Sequence, residues 1–243
     1  MSVSREAGGV LNESDTYREW APPEAWREVV ACCWEQQVWA DRVQRVLPDG
    51  HADVLLYGSG AVELVGLYDH VALPVLPRGT VIRGIRLRPE AVAAAFRARA
   101  SELRNLTVPG EDVMGARGSR QLRDGRALDA WIRSIEPDRR TAAAIELLQS
   151  EPVERVADQL GLSARQLQRS VVANVGLTPK TLQRVMRLQR FLDHAGRRAD
   201  LAAASADAGY ADQSHLTREV RALSGLTPAQ LLAERAAPAP RST

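Results

Sequence analysis

Residues 156–169 read VADQLGLSARQLQR and residues 204–218 read ASADAGYADQSHLTR. The last third of the chain therefore contains one sequence pattern twice. Each copy closes with the tetrapeptide GLTP, at residues 176–179 and again at residues 225–228. In each copy a short helical pattern meets a glycine, which allows the left-handed backbone that ends a helix. A residue that can cap a second helix follows. The repeat therefore predicts two helix-turn-helix units in one chain.

The first unit carries a polar face that is suited to DNA. Ser163 can cap its second helix, after which Arg165, Gln168 and Arg169 fall at positions i, i+3 and i+4 on one side. Arginine can bind guanine with two hydrogen bonds, and glutamine can do the same with adenine. We predict that these three side chains contact DNA. Arg169, and Arg218 at the equivalent position of the second unit, could bind a phosphate instead, which would set position without reading sequence.

The second unit repeats this arrangement with smaller polar groups. Asp212 can cap its second helix. The side chains predicted to contact DNA in this unit are Gln213, Ser214, His215, Thr217 and Arg218. Between the units, Thr178-Pro179 has the pattern of a helix start and predicts a linker helix of about 16 residues. A single helical hairpin is common in proteins that never bind DNA, but the duplication and the two polar faces favour DNA binding.

The first half of the chain has the pattern of a β-domain. Short apolar or alternating runs are broken by turn residues, and they lie at residues 29–34, 53–57, 61–67 and 80–87. Short strands at this spacing are typical of an antiparallel sandwich or barrel. The predicted fold class is therefore α+β. A mainly antiparallel β-domain with flanking helices precedes an all-α domain of two helix-turn-helix units.

Helical signals begin at Pro89, which predicts a helix to about Arg99. Residues 108–118 are interpreted as a loop, and Ser119 as the cap of a helix that Pro137 ends. The predicted divisions are a flexible segment over residues 1–25, an effector-binding or dimerisation domain over 26–137, a DNA-binding domain over 138–235 and a disordered tail over 236–243.

Charge is distributed unevenly between these parts. From Asp138 onward the chain has 15 basic and 11 acidic residues, against 17 and 19 before it. The sign of this asymmetry suits a DNA-binding half. No run of apolar residues is long enough to span a bilayer, and residues 1–7 lack the apolar core of a signal peptide. We therefore expect a cytoplasmic protein with no membrane partner.

No catalytic residue, cofactor or metal site is predicted. Cys32 and Cys33 are adjacent and are interpreted as two reduced thiols, although a strained bond between them would be a redox switch. The histidines and cysteines have no metal-ligand spacing. His51, with Asp49 and Asp53, lies in a Pro-Asp-Gly turn, and the turn interpretation is preferred over acid–base chemistry.

Four aromatic side chains in the β-domain are candidates for lining a pocket for an aromatic or acidic small molecule: Trp34, Trp39, Tyr57 and Tyr68. For any one of them a place in the ordinary core is favoured. Arg83, Arg86 and Arg88 are interpreted as sharing one face of a strand, and a solvated edge is favoured over an anion site.

Residues 138–235 resemble the DNA-binding domain of AraC/XylS-type transcription regulators. The resemblance is carried by LGLS at 160–163, LQR at 167–169, AGY at 208–210, DQSHLTR at 212–218 and both GLTP segments. The family usually has aromatic residues where this chain has Val171, Leu182, Val220 and Leu231. Residues 47–55 and 84–89 resemble landmarks of one uncharacterised subgroup of its N-terminal domains.

The resemblance implies a transcription regulator, an activator rather than a repressor, whose two recognition helices enter successive major grooves of double-stranded DNA. It also implies RNA polymerase as a partner, and a small-molecule effector or a homodimer as the means of control. The alternative is a DNA-repair methyl acceptor, or alkyltransferase, fused to the same module. That chemistry needs an activated thiolate, and Cys32-Cys33 lies in an apolar run.

Overall fold

A computed structural model describes residues 16–196 and 201–236 of the chain. The predicted α+β class is confirmed, since an antiparallel sheet with helices at its side precedes a helical region. No helix in these two ranges is both long enough and apolar enough to cross a bilayer. Residues 1–15 of the predicted flexible segment and residues 237–243 of the predicted tail lie outside the described residues.

The main sheet has six strands, all paired antiparallel. In chain order these strands are β1 (Thr16–Trp20), β2 (Val30–Gln37), β4 (Ala52–Tyr57), β5 (Val62–Val65), β7 (Val81–Leu87) and β8 (Thr107–Pro109). Their spatial order is β1-β2-β7-β4-β5-β8. A second sheet consists only of β3 (Arg42–Val43) and β6 (Val75–Leu76).

The two faces of the main sheet pack against different partners. Cys33, Val54 and Ile85 lie side by side across three strands and belong to the large core that the helices complete. Cys32 and Trp34 belong to a smaller cluster that includes Leu76 of the small sheet. Because successive side chains of a strand alternate between faces, the adjacent cysteines occupy separate clusters, and both are free thiols.

The helices follow the sheet in the chain. Three short 3-10 helices lie at Glu24–Trp26, Pro89–Ala91 and Ala100–Glu102. The α-helices of the first half are α1 (Val92–Phe96), α2 (Gly110–Gln121) and α3 (Gly125–Arg133). Those of the second half are α4 (Arg139–Leu148), α5 (Val153–Gln159), α6 (Ala164–Val175), α7 (Pro179–Ala195), α8 (Leu201–Asp207), α9 (Gln213–Ser224) and α10 (Pro228–Ala236).

Three local predictions differ from the structure. The segment interpreted as a loop at residues 108–118 is mostly α2, which has a kink at Gly115. Ser119 is buried within α2 and caps nothing, whereas Asp124 caps α3 by accepting hydrogen bonds from two backbone amides. Residues 16–20, placed in the flexible segment, form β1. Tertiary packing favours a helix at 110–121 although its glycines disfavour one.

Both predicted helix-turn-helix units are present. α5 and α6 form the first unit, with a turn at Gly161, and α8 and α9 form the second, with a turn at Gly209. Ser163, Thr178 and Asp212 cap α6, α7 and α9 as predicted. α7 has 17 residues and links the units.

One apolar core runs from the main sheet into the helices of both units. α6 packs against α1 and against the 3-10 helices at 89–91 and 100–102. The closest approach is at the end of α6, where a Cβ atom on Gly176 would lie 2.7 Å from the carbonyl oxygen of Ala100. The first unit is therefore fixed to the N-terminal half by buried contacts.

Gly176 and Gly161 allow a test of this contact. Both have a positive φ, of +90° and +65°, but a Cβ atom on Gly161 would meet nothing within 4 Å. We expect Gly161→Ala to cost about 1–2 kcal/mol from backbone strain alone. Gly176→Ala should cost more, because Ala100 must also move. The measurement is the free energy of unfolding in urea, and equal losses would show that the two halves are not tightly packed here.

Candidate nucleic-acid interface

The first recognition helix, α6, has a closed face and an open one. Its start is fixed by a capping box, in which the Gln166 backbone amide donates to Ser163 Oγ (3.2 Å) and the Ser163 amide donates to Gln166 Oε1 (2.8 Å). Leu167 and Val171 are buried. The three residues predicted to contact DNA, Arg165, Gln168 and Arg169, are all exposed. The structure thus places them together on the open face.

The second recognition helix, α9, repeats this geometry. Asp212 Oδ1 accepts a hydrogen bond from the His215 amide at 2.7 Å and so fixes the first turn. Leu216 and Val220 are buried on the inner face. The exposed residues among those predicted to contact DNA are Gln213, Ser214 and Arg218.

The remaining two predicted contact residues are partly enclosed. Thr217 Oγ1 donates to the carbonyl of Gln213 at 2.8 Å. The Nδ1 atom of His215 accepts from the Ala211 amide at 3.3 Å, and its ring lies edge-on to Tyr210 with centroids 5.3 Å apart. His215 therefore lies beside the inner contacts of the unit, at the border of the open face.

A carboxylate fixes α9 to the linker helix. Glu219, whose side chain is 12% exposed, accepts a hydrogen bond from Arg184 Nε at 3.1 Å and another from Arg187 Nη1 at 2.9 Å. Both arginines are on α7, and His215 Nε2 lies 3.5 Å from the same carboxylate. Charge-assisted hydrogen bonds of this kind are stronger than neutral ones. They hold the direction of α9 relative to α7.

Tyr210 completes the contact between α7 and the second unit. Its ring lies under the guanidinium of Arg187, at 5.6 Å, and edge-on to Phe191 at 6.1 Å. Burial, with the neighbouring Glu219 carboxylate, raises the pKa of Tyr210 well above its usual value. Neither Glu219 nor Arg184 was singled out from the sequence. A usable signal existed, because Arg184 and Arg187 are spaced i, i+3 and so share one face of the linker helix.

At four positions the family that the sequence resembles usually has an aromatic residue, and this chain has a smaller apolar one. Val171, Leu182, Val220 and Leu231 are each no more than 1% exposed. The smaller side chains therefore leave both units packed on the same core.

The four candidate ligand-binding aromatics of the N-terminal half do not form one pocket. Trp34 is buried and donates from Nε1 to Asp53 Oδ1 at 2.9 Å, and Tyr57 packs at the edge of the same cluster. The Tyr68 hydroxyl lies 3.2 Å from Thr107 Oγ1. Trp39 is 47% exposed. Only Trp34 and Tyr57 share an environment.

A group of half-buried charges lies next to Trp34, and the sequence interpretation missed it. Arg86 Nε is 3.4 Å from Asp53 Oδ1 and 3.5 Å from Asp49 Oδ2, and it has no hydrogen-bond partner. The predicted common face of Arg83, Arg86 and Arg88 is wrong. Arg83 is exposed and pairs with Glu35, while Arg86 points to the opposite, buried face. The period of two along a strand, applied strictly, separates residues 83 and 86.

The half-buried charges shift one another's proton affinities. Burial raises the pKa of Asp53, although Arg86 opposes that shift. For Asp49, burial is outweighed by Arg86 and by hydrogen bonds with His51, which hold the pKa well below its usual range. Burial would lower the pKa of Arg86, but the two carboxylates keep it well above its usual value. Next to this group, the His51 amide donates to Asp49 Oδ1 at 3.0 Å.

Family comparisons agree with this architecture. Residues 156–234 match the family model of a helix-turn-helix domain. Residues 18–109 match the model of a domain of unknown function. The C-terminal region therefore matches a helix-turn-helix family, as the repeat predicts. None of the curated proteins matches the sequence.

Solved structures of ToxT from Vibrio cholerae also resemble the chain. Wild-type ToxT of strain SCE256 with a bound unsaturated fatty acid gives a TM-score of 0.43 at 10% identity, covering 99% of this chain and 100% of ToxT. A second ToxT structure gives 0.44 at 8% identity, covering 95% of this chain and 100% of ToxT.

Glu219→Gln tests the contact between α7 and α9. The substitution keeps the shape of the side chain but leaves Arg184 and Arg187 without a counter-charge, so we expect a loss of about 1–3 kcal/mol in unfolding free energy. Glu154→Gln on the exposed side of α5 is the matched control and should change stability by less than about 0.5 kcal/mol. Equal effects in urea unfolding would show that Glu219 does not stabilise the unit.

Arg86→Met and Arg83→Met form a second matched pair on one strand. Arg86→Met leaves Asp49 and Asp53 without their counter-charge, and because all three side chains are only partly buried we expect a loss of about 1–3 kcal/mol. Arg83→Met removes an exposed pair that contributes about 0–1 kcal/mol. Thermal unfolding monitored by circular dichroism measures both, and a small effect at Arg86 would show that the carboxylates are adequately solvated without it.

Proposed function

We propose that this protein is a sequence-specific transcription regulator that reads two successive major-groove segments with α6 and α9. The supporting observation is the pair of open polar faces, each on a helix whose opposite face is buried. A recognition helix needs this combination, because its base-reading side chains must be free while its direction is fixed.

The chemistry of the two faces supports an asymmetric site. Arg165, Gln168 and Arg169 offer two guanidinium groups and one amide, whereas the open face of α9 offers one guanidinium group with Gln213 and Ser214. Arginine favours guanine and glutamine favours adenine. We therefore propose that each chain binds a non-palindromic site whose halves differ in sequence.

We further propose that the N-terminal half controls this binding, through a small-molecule effector or a homodimer, and that the regulator activates transcription through RNA polymerase. The place that we propose for such an effector is a groove of about 260 Å³ in the N-terminal half. It is lined by Leu56, Tyr57, Gly58, Val81, Arg83 and Arg123. An acidic molecule there would have to share these guanidinium groups, because Arg83 pairs with Glu35 and Arg123 Nη1 donates to the Tyr57 carbonyl at 2.8 Å.

The cysteines favour this proposal over the alternative of a DNA-repair methyl acceptor. Methyl transfer to sulfur needs a thiolate, which a lowered pKa or a nearby base provides. Burial instead raises the pKa of Cys32 to about 12 and also raises the pKa of Cys33. Both side chains are therefore thiols at neutral pH, and a regulator without this chemistry is the better proposal.

The DNA-binding proposal can be tested by selecting sites from a random duplex library with the full-length protein. The wild type should enrich a bipartite site. Arg165→Ala and Gln168→Ala should each lose about 1–3 kcal/mol of discrimination in one half of that site and leave the other half unchanged.

Arg120→Ala is the control, because Arg120 is exposed on α2, which packs on β5 and β8. It should leave the selected site unchanged. Equal weakening on every sequence would show that Arg165 and Gln168 contact phosphates. Failure of the wild type to enrich any sequence would contradict sequence-specific binding.

A further inference from the structure

Arg45, in the N-terminal half, reaches across to the second helix-turn-helix unit. It follows β3 in the chain, and its side chain is 23% exposed. Its Nε donates to Glu234 Oε1 on α10 at 2.8 Å, and its Nη1 donates to the carbonyl of Ser224 at 2.8 Å. One guanidinium group therefore contacts both α9 of the second unit and α10, the helix that follows it.

The contact with Ser224 has a specific physical role. Ser224 is the last residue of α9, and the last carbonyls of a helix have no partner within it. A cation placed there satisfies one carbonyl and interacts favourably with the negative end of the helix dipole. The N-terminal half thus caps the second recognition helix.

The surroundings of Arg45 show a close fit at the same place. A Cβ atom on Gly225, which ends α9, would lie 3.7 Å from Arg45 Nη1 and 3.8 Å from Val71 Cγ1. Side chains from two segments of the N-terminal half therefore border the turn between α9 and α10.

The bracing loop, residues 44–50, carries Arg45 and also touches the linker helix. Gln189 of α7 donates from Nε2 to the carbonyl of Pro48 at 2.7 Å. A Cβ atom on Gly50 would lie 3.6 Å from Leu182 Cδ1, also on α7. Within the sheet, Asp49 holds the loop to Arg86. The bracing loop therefore connects the half-buried charges of the N-terminal half with α7, α9 and α10.

We infer that Arg45 is a positioning residue for the second recognition helix. By capping α9 and pairing with α10, it fixes the direction in which Gln213, Ser214 and Arg218 face DNA. This inference rests on the proposed function. The two units differ in how they are held: the first packs on the N-terminal half through buried apolar contacts, whereas Arg45 holds the second through polar contacts that water can replace. Loss of Arg45 should therefore affect the half of the site read by α9 more than the half read by α6.

Arg45→Ala in the full-length protein tests the inference in two independent measurements. In hydrogen–deuterium exchange without DNA, amides near the end of α9 and the start of α10 should exchange about tenfold faster, because a charge-assisted hydrogen bond is lost. In a footprint on the selected site, protection should weaken over the half read by α9 and persist over the half read by α6.

Two further variants make the result specific. Glu234→Gln retains the Ser224 cap and removes the ion pair, so its exchange should lie between those of the wild type and Arg45→Ala. If Arg45→Ala does not fold, Glu234→Gln is compared with the wild type in its place. Arg120→Ala removes an exposed arginine of the same half and should change neither measurement.

The outcomes separate the inference from the proposed function. Unchanged exchange in Arg45→Ala would overturn the cap, and an equal loss of protection over both halves would overturn the positioning role. If the wild type selects no site, the proposed function fails, while the exchange measurement still decides whether Arg45 caps α9.

Discussion

The buried side of the linker helix α7 is the constraint on which the rest of the structure depends. Leu182, Val185 and Leu188 are fully buried, and they lie among contacts with both units and with the bracing loop. Apart from Pro179 at its first position, the helix contains no proline or glycine. It therefore has no intrinsic point of bending. The elements that pack on α7 therefore have fixed positions relative to one another.

Given this rigid element, the polar contacts determine how each unit faces outward. The apolar side of a recognition helix fixes its depth in the core, but apolar packing is non-directional and tolerates rotation. Glu219 and Arg45 add directional contacts at two points of α9, one along its length toward α7 and one at its end. The end of α6 is held instead by the close approach of Gly176 to Ala100.

The parts of this fold that could be predicted from sequence are those specified by residues close together in the chain. Helix periodicity, the caps Ser163 and Asp212 and the turn glycines each act within a few residues, and the structure confirms them. β1 and α2 could not be predicted in this way. β1 is fixed by pairing with β2, and α2 forms despite three glycines because it packs on β5 and β8. The contacts of Glu219 and Arg45 join residues 35 and 189 positions apart, which no local pattern records.

Arginine shows why composition alone could not locate the functional residues. All but one of the 32 basic residues are arginine, so their abundance does not distinguish roles. Their positions distinguish the roles. Arg165 is exposed on an open helix face, and Arg86 compensates two carboxylates next to Trp34. Arg45 contacts the last carbonyl of a helix from the other half of the chain. A planar group with several fixed donors suits all three tasks, whereas the point charge of lysine could not contact Ser224 and Glu234 with the same directed pair of hydrogen bonds. The arginine proposed to contact DNA and the arginine proposed to orient α9 therefore carry the same chemical group and differ only in the partners that the fold gives them.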